Sequence, residues 1–283
     1  MKVAASDYDG TLLRGGKIDE ETKAGIARWR AAGHKFGVIS GRDYGMLAPQ
    51  LEEYGVEFDY TVCNNGGIIR GADASVRFQA EIDPRALTAI AEESSAQRSF
   101  HFAFSAADVT YLCHHSEGSW IEREAKDWDF PIVYIEESEI GGLTGIQQFS
   151  LGFHEPALSD ECAAVLNAKL GNKIHAFPNA CSLDITPVGI GKDAGIRKLR
   201  GLAARTLALF EDEPYRQQLL ERHNRADNMT TRMNVLHALN RRHDHYREQA
   251  LATYYNKYRD QPLVIDKWFA VQAQDHSEGA LER

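Results

Sequence analysis

The stretch KVAASDYDGTLL, residues 2–13, sets the reading of the whole chain. A short apolar run, KVAAS, leads directly into Asp7 and Asp9, two positions apart, and then into Gly10, Thr11 and two leucines. A strand gains nothing from two carboxylates at its end, because like charges near a core cost free energy unless a cation or substrate stands between them. The pair therefore reads as a site. Further along, DEETKAGIARWRAAGHK has helical spacing, with Ile26, Trp29 and Ala32 on one face and Gly33 near its end, and FGVIS is a second buried strand. Strand, helix, strand predicts a βαβ unit, hence a parallel sheet with its active groups at the carboxyl ends of the strands. Asp7 and Asp9 sit at such an end. Ser40 sits at another, where it closes FGVIS ahead of the helix-start signal GRD. A third strand, in DYTVCNNGGIIR, runs into an Asn-Asn-Gly-Gly turn and a hairpin return.

The bulk properties fit an ordinary globular protein: 283 residues, 43% hydrophobic and 26% charged, enough for one large domain or two modest ones. A net charge of -9, from 32 Lys and Arg against 41 Asp and Glu, leaves no basic excess for a nucleic-acid surface. Cys63, Cys113, Cys162 and Cys181 lie far apart with no C-x-x-C, which favours reduced thiols over a zinc knuckle or a disulfide framework. No stretch has the length of a signal peptide or a membrane span, and a cytoplasmic location without a membrane partner is expected.

Four motifs in order carry a resemblance to a known family: DYDGT at 7–11, VISGR at 38–42, NNGG at 64–67 and LDITPVGIGKDAGI at 183–196. Alone, the first could be a turn, Ser40 a helix N-cap and Lys192 a solvated charge. Their joint order decides otherwise. Over roughly residues 1–195 the chain resembles the haloacid dehalogenase superfamily of phosphatases, in the Cof-like sugar phosphatase branch with a large cap inserted after the third strand. The resemblance implies a Rossmann-like parallel sheet core with an α/β cap. It also implies Asp7 as a nucleophile forming an aspartyl-phosphate, and Asp9 as the acid that protonates the leaving oxygen and then deprotonates water. Mg2+ would be held by the Asp7 carboxylate and the Asp9 carbonyl. Ser40 and Lys192 would bind the phosphoryl group. Arg42 and Asn65 are candidate substrate contacts.

The expected core is residues 1–80 plus 183–195, with the cap at 81–182, where DPRALTAIAEES and SDECAAVLNAKLG read as helices and FHFAFSA, VTYLCHH and GIQQFSLGFH as strands. His114, His115 and His154 invite a metal reading, but neighbouring residues on a strand point to opposite faces, which favours edge or surface positions. After Lys192 the family pattern stops. No Gly-Asp-x-x-Asn-Asp loop completes the metal site, and the candidates for the third acid are Asp212, then Asp227, then Asp266, the last following the strand-like run PLVI.

From residue 196 to 283 the periods are helical, as in stacked helical hairpins. Here LRGLAARTLAL, ADNMTTRMNVLHAL and PLVIDKWFAVQA resemble part of the C-terminal helical domain of aminopeptidase N, so the chain looks like a fusion of two pieces. No H-E-x-x-H occurs, and peptidase activity is not implied. Two functions are weighed. One is a magnesium-dependent phosphatase acting on a small phosphorylated metabolite such as a sugar phosphate. The other is a catalytically impaired chain whose helical part is a packing or interaction module. A missing fourth strand would leave the strand of Asp7 as an open sheet edge, which makes homo-oligomerisation an expected outcome.

Overall fold

A computed structural model describes residues 2–113, 121–122, 130–207 and 213–273. The chain divides into two compact units, Met1–Ile196 and Arg197–Arg283.

In the first unit, β1 (Val3–Asp7), β2 (Lys35–Ile39), β3 (Tyr60–Cys63), β4 (Ile68–Gly71) and β5 (Val76–Gln79) form one sheet in that order. The first three strands are parallel and the last two antiparallel. The expected parallel βαβ core is present, and β4 is the expected hairpin return. The chain reverses at Asn64–Gly66, where Asn65 is left-handed (φ 50, ψ 34) and Gly66 has φ +96, conformations that Asn and Gly adopt at least cost.

Helix α1 (Glu20–Ala31) starts at Asp19, whose carboxylate accepts the Thr22 N–H at 2.7 Å. Its acids lie in the first turn and its arginines in the last, the arrangement the helix dipole favours. Helix α2 (Tyr44–Glu53) buries Met46, Leu47, Gln50 and Leu51. Gln50 tolerates burial because its Oε1 accepts the Tyr8 hydroxyl at 2.9 Å. The parallel strands are clamped across their width by Tyr60. Its ring lies where a Cβ on Gly37 would come within 2.3 Å, and its hydroxyl donates to the Ala4 carbonyl at 2.6 Å. Among the described residues β1 pairs with β2 alone, and Val3 is 43% exposed.

A second, six-stranded sheet is built from β6 (His101–Ser105), β7 (Thr110–Cys113), β8 (Ile132–Tyr134), β9 (Gln148–Gly152), β10 (Ile174–Asn179) and β11 (Ser182–Pro187). Its order is β10-β11-β9-β6-β7-β8, antiparallel except for β7 with β8. Side chains alternate across it with period two. Phe102, Phe104, Phe149, Leu151, Leu183 and Ile185 join one apolar cluster with α3 (Pro84–Ala91) and α4 (Pro156–Leu170). The intervening Ser105, Gln148, Ser150 and Asp184 take the other face. That face carries the polar groups that meet the loops of the first sheet. Residues 183–187, expected in the core, lie in this second sheet because β11 pairs with β9 and β10.

The second unit is helical, with α5 (Lys192–Leu207) crossing the division, followed by α6 (Glu213–Arg225), α7 (Met229–Leu239), α8 (His245–Tyr258) and α9 (Pro262–Ala273). PLVI is therefore not a strand. It opens α9, whose Val264, Trp268 and Val271 fall at helical spacing against a cluster containing Leu236, Leu251 and Tyr254. No described helix is long and apolar enough to cross a membrane.

Arg216, 1% exposed, holds this bundle together. Its Nη2 donates to Asp244 Oδ1 at 2.8 Å and to the Leu239 carbonyl at 3.2 Å at the end of α7, while Asp244 caps α8 by accepting the Arg247 N–H at 3.1 Å. Arg216→Met should destabilise the full chain by about 3–5 kcal/mol, since it leaves a carboxylate and helix-end carbonyls without their buried donor. A urea denaturation midpoint unchanged in Arg216→Met would refute this.

Candidate active site

Tyr8 is fully buried among Leu12, Ile18, Val38 and Leu47. Alternation along the strand end then turns its neighbours Asp7 and Asp9 away from the core, which is why the two acids are separated by one apolar residue. The chain folds back at once: Leu12 N–H donates to the Asp7 and Tyr8 carbonyls at 3.1 and 3.0 Å, and Gly10 takes φ +74.

The β1–β2 register pairs Asp7 with Ile39, so Ser40 stands one residue beyond, at the same end of the sheet. Its backbone N–H is fixed on the Val62 carbonyl at 2.9 Å. Its Oγ accepts the Arg42 N–H at 3.0 Å, an arrangement that leaves the hydroxyl proton as a donor. Lys192 arrives from 185 positions away, at the first residue of α5, and its Nζ lies 2.5 Å from Asp7 Oδ1. Glycines make that approach possible. A Cβ on Gly66 would sit 2.3 Å from the Gly191 carbonyl oxygen, and one on Gly195 would sit 2.5 Å from Val62 Cγ1.

Arg42 and Asn65, expected to touch substrate, are engaged with protein groups. Arg42 grips the Asp9 carboxylate, with Nη2 to Oδ1 at 3.0 Å and Nε to Oδ2 at 3.1 Å. Asn65 Nδ2 donates to Gln148 Oε1 and to Asp184 Oδ2, both at 3.0 Å. Asp184 Oδ1 also accepts the Ser150 hydroxyl at 2.8 Å, and Gln148 Nε2 donates to the Gly41 carbonyl at 3.2 Å. Burial holds the Asp184 carboxyl above its usual range, against the opposing hydrogen bonds from Ser150 and Asn65 and the Lys192 charge. Sequence reasoning missed Gln148, Ser150 and Asp184. Their signal was the polar alternation inside two otherwise apolar strands.

Asp43 was missed as well. It is 5% exposed, and its Oδ2 accepts the Ser105 and Thr110 hydroxyls of the second sheet, each at 3.0 Å. Burial pushes its carboxyl up to about 6, with those hydrogen bonds pulling the other way and the Asp184 charge adding to the rise. The native state thus holds this proton more tightly than the unfolded chain, whose carboxyl titrates near the ordinary 3.8. The stabilisation is full below the unfolded value and is lost as pH rises through about 6, amounting to about 3 kcal/mol. Asp43→Asn, whose amide oxygen accepts the same hydroxyls without charge, should therefore be more stable than the parent at pH 7.5 and keep only about half of that advantage at pH 5. Thermal unfolding that puts Asp43→Asn below the parent by the same margin at both pH values would refute the assignment.

Among the described residues no group of three His, Cys, Asp or Glu side chains gathers to hold a metal. The Asp7 carboxylate and the Asp9 carbonyl remain as oxygen donors, which fits a hard divalent cation that keeps water in its other positions. Asp212, the first candidate for a third acid, lies outside the described residues, as do His114 and His115. Asp227 and Asp266 are exposed and belong to the second unit, Asp266 on α9. The described cysteines are all unpaired.

The chain is similar in fold to several solved structures. A haloacid dehalogenase-like hydrolase from Bacteroides thetaiotaomicron has a TM-score of 0.58 at 18% identity, covering 70% of this chain and 75% of that one. A haloacid dehalogenase-like hydrolase from B. subtilis gives 0.58 at 14%, covering 75% and 81%. A subclass IIB sugar phosphatase of the superfamily gives 0.53 at 19%, covering 70% and 75%. Aminopeptidase N of Caulobacter vibrioides is 38% identical over 90 residues, which are 32% of this chain and a mere 10% of that protein. A domain of unknown function made of ARM repeats, DUF3458_C, matches residues 156–283, of which the part up to Ile196 lies in the first, α/β unit. The model of haloacid dehalogenase-like hydrolases matches residues 4–206, most of the chain and all four motifs that converge on Asp7, and the chain belongs to that family.

Proposed function

We propose that the chain is a phosphomonoester hydrolase acting on a small phosphorylated metabolite through an aspartyl-phosphate. The observation that carries this reading is the 2.5 Å contact of Lys192 Nζ with Asp7 Oδ1 at the end of β1. Asp7 attacks phosphorus and displaces the alcohol, whose oxygen takes a proton from Asp9. Water, deprotonated by Asp9, then cleaves the aspartyl-phosphate and frees phosphate. Ser40 donates to a phosphoryl oxygen while Lys192 offsets charge on the phosphoryl group and on Asp7. The Asp7 carboxylate and the Asp9 carbonyl would hold Mg2+, which would supply further neutralisation of the phosphoryl oxygens. The second sheet acts as a cap that limits water and selects the substrate. A solved fold neighbour is a sugar phosphatase, which supports a sugar phosphate as the substrate. The unpaired cysteines and acidic net charge favour a cytoplasmic protein without a nucleic-acid partner, and the one-sided pairing of β1 favours homo-oligomers.

A second reading, an impaired enzyme whose helical unit is an interaction module, is favoured by the lack of a third acid beside Asp7 and Asp9 among the described residues. Hydrolysis of an aryl phosphate with and without magnesium separates the two. The phosphatase reading expects magnesium-dependent turnover, and a folded sample with none supports the second. Because two protein oxygens bind a cation weakly, calorimetric titration should give half-saturation on the order of millimolar. Micromolar binding would mean that a further ligand completes the site.

A further inference from the structure

The two acids at the end of β1 each have a cation of their own: Lys192 on Asp7 and Arg42 on Asp9. The second pair is the unexplained one. An exposed ion pair between flexible side chains is usually an incidental contact, but Arg42 is held along its length. Its N–H donates to Ser40 Oγ at 3.0 Å, and its carbonyl accepts the Asn64 N–H at 3.1 Å. Its guanidinium lies over the Tyr8 ring at 5.6 Å. Tyr8 in turn is fully buried and tied to Gln50. The side chain of Arg42 is 20% exposed, and its fork meets both oxygens of Asp9, a side chain that is itself 54% exposed and has no comparable support of its own.

A guanidinium fork fixes a carboxylate in plane as well as in place. A phosphate ligand would need that fork free, and here it is spent on Asp9. We infer that Arg42 is a positioning residue, which aims the Asp9 carboxyl at the leaving oxygen. The inference rests on the phosphatase reading above. In the step concerned, the bond from phosphorus to the ester oxygen breaks and its electron pair stays on that oxygen. The proton of the Asp9 carboxyl moves to the same oxygen as the Asp7 carboxylate closes its bond to phosphorus. The carboxyl carries its proton on one oxygen and keeps the other for the guanidinium, so the fork still orients it when one contact opens. In the second step, water gives its proton back to Asp9, its oxygen closes a bond to phosphorus, and the bond from the Asp7 oxygen to phosphorus breaks with its electron pair returning to the Asp7 carboxylate.

The leaving group tells this role apart from others. p-Nitrophenolate departs without being protonated, whereas the alkoxide of ethyl phosphate requires a proton. Initial rates of the full chain on both esters are to be compared for the parent, Arg42→Gln, Arg42→Lys and Asp9→Asn, with folding checked by thermal melts. Arg42→Gln should lower kcat/KM, which reports the first step and not the water step common to both esters, about 100-fold for ethyl phosphate, the scale of general acid catalysis, and less than tenfold for p-nitrophenyl phosphate. KM should not rise for either ester. Arg42→Lys, which keeps the charge and loses the fork, should fall between the parent and Arg42→Gln on ethyl phosphate. Asp9→Asn should show the same split, and adding Arg42→Gln to it should cost nothing more. Equal losses on both esters would overturn the inference in favour of a structural role. A raised KM with kcat retained would overturn it in favour of substrate binding. A parent that hydrolyses neither ester would overturn the phosphatase reading itself and this inference with it.

Discussion

Asp7→Asn is expected to abolish turnover while leaving the fold intact. The change is isosteric, and the parent side chain is 37% exposed, so its removal as a charge touches no buried network apart from the Lys192 contact. That contact joins two groups each more than a third exposed, and its loss should cost no more than about 1 kcal/mol of stability. An amide nitrogen cannot attack phosphorus as a carboxylate does. The remaining donors, Ser40 and Lys192, still bind the phosphoryl group, so the loss should appear in kcat, by a factor of about 10,000 or more. Asp9→Asn removes a proton donor and keeps the nucleophile, which sets its loss on an alkyl ester such as ethyl phosphate at about 100- to 10,000-fold. Rates of Asp7→Asn on an aryl phosphate and of Asp9→Asn on ethyl phosphate, with thermal melts of each variant, check both. An Asp7→Asn protein that kept most of the parent's activity would end the assignment of Asp7 as nucleophile, and the acid pair would have to be structural.

How much of this was legible in the letters depends on how local the cause was. Asp7, Asp9 and Ser40 stand at strand ends set by apolar runs, and the register of β1 with β2 brings those ends level. Lys192 is distant in sequence, and it was the order of four motifs, rather than any local rule, that pointed to it. Arg42 and Asn65 were singled out as candidate substrate contacts; the Asp9 partner of Arg42 lies at the end of β1, and the Gln148 and Asp184 partners of Asn65 follow from how the second sheet meets the first sheet's loops. The same is true of Asp43, whose acceptor role depends on hydroxyls 62 and 67 positions away. The apolar run PLVI misled because four such residues suit a strand or a helix equally. Only the continuation to Trp268 and Val271 sets the period. The third metal acid was not found by sequence, and no described acid side chain joins Asp7 and Asp9 to make a third.

Gly66→Ala tests whether backbone shape, rather than any reactive group, places Lys192. Two independent demands meet at this position. Its φ of +96 is one that L-residues rarely adopt, and an added Cβ would come within 2.3 Å of the Gly191 carbonyl oxygen and 3.4 Å of the Gly195 N–H nitrogen. Backbone cannot swing aside as a side-chain tip can. Either the Asn64–Gly66 turn changes shape or the Gly191–Lys192 segment moves away from it, and both disturb the contact between Lys192 and Asp7. Since a misplacement of about 1 Å can cost about 100-fold in rate, a loss of that order in kcat is expected. Gly33→Ala serves as the control. Its φ of +77 imposes a similar backbone strain, but nothing lies within 4 Å of the added Cβ, and it follows α1 far from the acids in sequence. It should lower stability by about 1 kcal/mol and leave kcat unchanged. If Gly66→Ala and Gly33→Ala lost similar stability and neither lost activity, the close approach at Gly191 would have no part in placing the lysine.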